Sequence, residues 1–145
     1  MLEAELEDVA VAGDGTQFLV LLKVQSQGGD KQFVSIAIGP LEAMSIAAGR
    51  AKESLARPMT HDLLLSVMEL LDAKLKRIEV TDLKDGVYYA KLVVEHRGIE
   101  YDIDSRPSDA LGLMVRAEVP LWIDEKVVEM AAMSEFEGGG GGVEA

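Results

Sequence analysis

The sequence predicts an α+β domain built from two copies of a three-strand, two-helix unit. The strands share a single strongly curved sheet, with helices covering it. Three observations carry this expectation. Short β-like runs separated by glycine turns come in two groups of three. Each group is followed by two helix-like segments. Gly39-Pro40-Leu41-Glu42-Ala43 also matches Arg106-Pro107-Ser108-Asp109-Ala110, as Asp14-Gly15 matches Asp85-Gly86.

The first unit spans about residues 1–73. Leu2, Ala4, Leu6, Val9 and Val11 alternate as a strand does. Gly13-Asp14-Gly15 turns the chain into a second strand, Phe18 to Val24, and Gln27 to Asp30 turns it into a third, Gln32 to Ile38. Gly39-Pro40 opens a helix that stops at Gly49, because proline suits the first turn and glycine the stop. After a loop over 50–59, Thr60 is the expected N-cap of a second helix, THDLLLSVMELLDA. Its wide apolar face holds Leu63, Leu64, Val67, Met68, Leu70 and Leu71.

The second unit spans 74–133. Strands are expected over Arg77 to Leu83, Val87 to Glu95 and Ile99 to Ile103, joined at Asp85-Gly86 and Arg97-Gly98. Pro107 opens a helix to about Ala117. Pro120 to Ile123 reads as a short extended piece, and Asp124 caps a last helix, EKVVEMAAM. The methionines at 44, 68, 114, 130 and 133 fall on helical faces and count as core. Residues 134–145 carry no apolar period, and their Gly138 to Gly142 run predicts a flexible tail.

Composition narrows the function classes. Without cysteine, disulfides, thiolate zinc sites and thiol nucleophiles are excluded. No apolar run reaches the length of a membrane span, and the acidic N-terminus is unlike a signal peptide, so a cytoplasmic location is expected. The net charge of −12 opposes loose attraction to nucleic acid, so phosphate handling must rest on a few placed groups or on a metal. P-loop, dinucleotide, HExxH and nucleophile-elbow motifs are all missing.

Two polar clusters stand out. In IDSRPSDALGLMV, residues 103–115, the proline and Asp109 suit a helix start, but Arg106 opposes the helix dipole. Asp102 and Asp104 lie on one side of the preceding strand and are positioned to pair with it, giving a salt-bridged corner. The alternative is a functional cluster, in which carboxylates hold a divalent metal or move protons and the arginine clamps a phosphate. The second cluster is Arg57-Pro58-Met59-Thr60-His61-Asp62. In a first helical turn, the dipole keeps His61 neutral and able to accept a proton.

RPMTHDLL (57–64), YYAKL (88–92) and IDSRPSDALGL (103–113), in that order and spacing, resemble the bifunctional nuclease domain family. The resemblance covers about residues 1–133. It implies two three-strand, two-helix repeats around one barrel-like sheet, a homo-oligomer that is most simply a dimer, and cleavage of DNA and RNA. The motif positions carried over are Arg57, Thr60, His61, Asp62, Asp104, Arg106, Ser108 and Asp109, with Ser105 where the family has alanine.

The resulting expectation is a phosphodiester hydrolase. His61, Asp62, Asp104 and Asp109 are its catalytic candidates, and Arg57, Arg106 and Ser108 its substrate contacts. Asp104 and Asp109 are the candidate ligands for Mg²⁺ or Mn²⁺, and His61 is the general base or the residue that orients water. The rival expectation is a non-catalytic oligomeric module whose polar motifs are structural or bind a small anion at helix N-termini.

Overall fold

A computed structural model describes residues 1–25 and 28–138. Strands β1 (Leu2–Ala12), β2 (Gln17–Gln25) and β3 (Lys31–Ile38) form an antiparallel meander, followed by helices α1 (Pro40–Arg50) and α2 (Thr60–Leu70). Strands β4 (Ala73–Lys84), β5 (Val87–His96) and β6 (Ile99–Ser105) form a second meander. Helix α3 (Pro107–Ala117), strand β7 (Leu121–Ile123) and helix α4 (Glu125–Gly138) complete the described chain.

The hairpins of the second meander follow directly from turn chemistry. Asp85-Gly86 and Arg97-Gly98 all adopt positive φ, at 50°, 77°, 53° and 80°. Two such residues make the tight turn whose twist matches the flanking strands. Strand registers Lys84↔Val87 and His96↔Ile99 close around them.

All seven strands join one mixed sheet in the order β3-β2-β1-β7-β4-β5-β6. This corrects two expectations. Among the described residues there are seven strands rather than six, and their sheet is open, with β3 and β6 as its edges, so they close no barrel. The extra strand is the short piece after α3. It pairs antiparallel with β1 (Leu2↔Ile123) and parallel with β4 (Ile78↔Leu121), and so joins the two meanders. Leu121 and Ile123 are buried, which fits a central strand covered on that face.

Helices α1 and α3 pack side by side, α1 over β1 and β2 and α3 over β4 and β5. Helix α2 leans on α3 and β4, and α4 touches β3 and β4. Val20, Leu22, Ile36, Ile46, Ile78 and Leu111 are among the fully buried side chains of the core.

Several boundaries move. The N-cap of α2 is Met59, not Thr60, and its backbone N–H donates to Asp62 Oδ2 at 3.0 Å. The helix stops at Leu70, Asp72 takes a φ of +57°, and β4 begins at Ala73, ahead of Arg77. Helix α4 runs on to Gly138, into the stretch expected to be a tail, while residues 139–145 lie outside the described residues, as does Gln27 of the second turn.

Met114 is buried and Met68 packs on the core, but Met44, Met130 and Met133 are exposed. These three lie on the solvent sides of α1 and α4, a choice that apolar character alone does not make. The apolar face of α2 is also turned outward: Leu63, Leu64, Val67, Leu70 and Leu71 are exposed, and no residue of this helix is buried.

Candidate active site

The site is built where the first turns of α1, α2 and α3 meet. Near their starts α1 and α3 are bridged by Arg106, whose guanidinium lies 3.5 Å from Glu42 Oε1. Near their ends, Gly49 of α1 receives Arg116 of α3, and a Cβ at Gly49 would lie 2.6 Å from that guanidinium. The two helices therefore run side by side in the same direction, with both N-termini at one end.

Helix α2 lays His61 across this pair. A Cβ at Gly112 would lie 2.5 Å from His61 Nε2, so glycine alone lets the imidazole rest on α3. On one side His61 Nδ1 is 2.8 Å from Ser45 Oγ of α1. On the other, Nε2 is 3.5 Å from Asp109 Oδ1 of α3. The two sequence clusters thus converge, with His61 and Asp109 in contact.

Asp109 is held from outside by Arg106. Arg106 Nε donates to Oδ2 at 2.9 Å and NH2 donates to Oδ1 at 3.1 Å, a two-pronged contact. The expected pairing of Arg106 with Asp102 and Asp104 is replaced: its partners are Asp109 and Glu42. Asp102 instead accepts from Lys91 Nζ at 2.9 Å. Asp104, exposed on the edge strand opposite Lys91, makes no ion pair or hydrogen bond among the described residues.

Burial is graded across the cluster. The His61 side chain is 13% exposed, that of Asp109 42% and that of Arg106 55%. Burial lowers the His61 pKa below the ordinary histidine value, and the nearby Arg116 charge pushes it the same way against the opposing pull of Asp109. His61 is therefore neutral near pH 7, as the sequence predicts. The causes differ from the prediction, since burial and a guanidinium do this work. Asp109 in turn raises the Arg106 pKa, which keeps that group charged.

Arg116 is the residue that sequence reasoning missed. Its side chain is only 7% exposed. Nε donates to Asp62 Oδ1 at 2.9 Å, NH1 to the Gly112 carbonyl at 2.8 Å, and NH2 to the Ser45 carbonyl at 3.1 Å and Ser45 Oγ at 3.3 Å. Asp62, expected to be catalytic, thus spends one oxygen on Arg116 and the other on the start of its own helix. The available hints were a basic residue in the last turn of α3 and two glycines, Gly49 and Gly112, inside helices where glycine is unfavourable.

Ser108, expected to touch substrate, faces the interior instead. Its hydroxyl is buried and has no hydrogen-bond partner among the described residues, so it is out of a ligand's reach. Arg57 is exposed on the loop before α2. It lines a cleft of about 610 Å³ with Lys52, Glu53, Asp62, Arg116 and Glu118. This cleft adjoins the His61–Asp109 pair through Asp62, but neither His61 nor Asp109 lines it.

The donor set does not suit a divalent metal. Each oxygen of Asp109 already accepts from the Arg106 guanidinium, and Asp104 lies apart on β6. Among the described residues, no three histidine or carboxylate side chains gather to hold an ion.

Comparison with known proteins places the chain in a family. The bifunctional nuclease domain model matches residues 20–136. An uncharacterized protein of Mycobacterium tuberculosis is 31% identical over 129 residues, covering 89% of this chain and 76% of that protein. Bifunctional nuclease 2 of Arabidopsis thaliana is 22% identical over 123 residues, covering 83% of this chain but 37% of the plant protein. Bifunctional nuclease 1 of the same plant is 21% identical over a similar span.

Proposed function

The chain belongs to the bifunctional nuclease domain family, and on that premise we propose that it hydrolyses phosphodiester bonds of DNA and RNA at the His61–Asp109–Arg106 corner. The observation that carries this reading is the contact of a neutral, half-enclosed imidazole with an accessible carboxylate. That carboxylate is gripped by an exposed arginine at a helix start. In the reaction, a water oxygen attacks phosphorus and the phosphorus–oxygen bond to the leaving nucleoside breaks. The proton of the water passes to the His61–Asp109 pair, and the leaving nucleoside oxygen takes up a proton from solvent. Arg106, on the solvent side, neutralises charge that builds on the phosphate. Arg57, which has no ion pair among the described residues, adds a second cation on the cleft side.

A second reading has its own support. Asp62, Ser45 and Arg116 form a partly buried lattice that locks three helices, and the chain carries a net charge of −12. In this reading the domain is a non-catalytic module. Both readings include self-association. Helix α2 is apolar toward the core through Leu65 and Met68 and apolar toward solvent through Leu63, Leu64, Val67, Leu70 and Leu71. A helix apolar on both sides belongs in an interior. Like net charge on two copies is overcome only by such an uncharged surface, so a second copy of the chain, in a homodimer, is its occupant.

The test is cleavage of single-stranded DNA and RNA with Mg²⁺, Mn²⁺ or EDTA, using wild type, Asp109→Asn and His61→Ala prepared identically. Activity that survives EDTA and disappears in both folded variants is the expected result. Equal activity in all three, or none in wild type, favours the non-catalytic module.

A further inference from the structure

The geometry points to His61 being held as its Nε2–H tautomer by Ser45 and Arg116, so that it serves as a donor that positions Asp109 rather than as the proton acceptor. This rests on the reading above for its catalytic meaning, but the tautomer itself follows from contacts alone.

The hydrogen bonds take their direction from Arg116. A guanidinium has donors and no acceptor. Its NH2 therefore donates to Ser45 Oγ, at 3.3 Å. The Ser45 hydroxyl keeps one hydrogen to give, and it is buried. Among the described residues its only other partner is His61 Nδ1, at 2.8 Å. If Nδ1 carried the proton, the serine hydrogen would be buried without an acceptor, which costs about 1–3 kcal/mol. Nδ1 is therefore the acceptor.

The far side of the ring selects the same tautomer. Nε2 faces Asp109 Oδ1 at 3.5 Å. With the proton on Nδ1, the bare Nε2 would sit 3.5 Å from a carboxylate oxygen, a repulsive contact. With the proton on Nε2, the same contact is attractive. Both sides of the imidazole select one tautomer, and that of a neutral ring.

The consequence falls on Asp109. Arg106 occupies one position on each of its oxygens, and the His61 N–H approaches Oδ1. Oδ2 keeps an open lone pair on a carboxylate that is still accessible. The proton of an attacking water goes there. Ser45 and Arg116, which touch neither substrate nor the reacting atoms, are positioning residues that act through the ring.

The experiment is a long-range ¹H–¹⁵N correlation spectrum of histidine-labelled full-length protein at neutral pH without substrate, with His96→Gln to separate the two histidines. The expected spectrum shows His61 Nδ1 at the unprotonated, pyridine-like position and Nε2 at the protonated position. Ser45→Ala is expected to shift both signals toward the average of a tautomer mixture. A wild-type spectrum with protonated Nδ1 overturns the proposal whether or not the variant folds, as does an unchanged spectrum in folded Ser45→Ala. Failure of the nuclease reading looks different: the Nε2–H spectrum is present, but wild type cleaves nothing.

Discussion

The imidazole of His61 rests on Gly112, so closely that a Cβ on that glycine would lie 2.5 Å from Nε2. Alanine normally favours a helix over glycine by about 1 kcal/mol. Here Gly112→Ala is expected to destabilise the fold instead, by about 1–3 kcal/mol of overpacking, because ring and backbone must separate. Urea unfolding of the two proteins checks this; a more stable variant would show that the ring has room to move.

Arg116→Ala removes donors to Asp62, to Ser45 and to the Gly112 carbonyl at once. The expected loss is about 3 kcal/mol, the low end for breaking a buried pair, since Asp62 keeps 41% of its side chain in water. Arg116→Lys is expected to recover little of it, because an ammonium cannot span partners on three helices. Denaturation midpoints of the three proteins give the comparison.

Acid should weaken the fold through His61. The folded ring has a lowered pKa, because burial and then Arg116 disfavour its charged form. Below about 6.5, the unfolded chain takes up a proton that the folded chain refuses until a lower pH. The histidine contribution is therefore complete above that value and is lost as pH falls toward the folded pKa. Stability measured between pH 7.5 and pH 5, values chosen to bracket about 6.5, is expected to fall more steeply in wild type than in His61→Gln.

Leu63→Glu with Leu70→Glu places two charges on the outward stripe of α2. Both leucines are exposed in the single chain, so monomer stability should change by less than about 0.5 kcal/mol per site. The molar mass from light scattering is expected to drop from dimer to monomer. A wild type that is already monomeric at the same concentration would remove the second copy as the occupant.

The strands and most helix starts were legible because their signals are local. Asp85-Gly86 and Arg97-Gly98 carry their own turn geometry, and Pro40 and Pro107 mark first turns. The meeting of His61 with Asp109 was legible only as a possibility raised by the repeated pattern. Arg116 was not legible, since its partners lie 54 and 71 residues away and nothing beside it in the chain announces them. Strand β7 was legible as an extended piece, but not as the link between the meanders, because its two neighbours come from distant parts of the chain. The apolar stripe of α2 was legible, but its outward orientation was not, because a hydrophobic stripe does not say which partner covers it.

Strand β7 also sets an order of events at the ribosome. Until residues 121–123 emerge, β1 and β4 each lack a neighbour on one side, and no strand links the meanders. A nascent chain stalled within α3 would hold two separate hairpin sets, each with an extra bare edge ready to pair with another polypeptide. Emergence of residues 121–123 closes that window and joins the two meanders into one sheet.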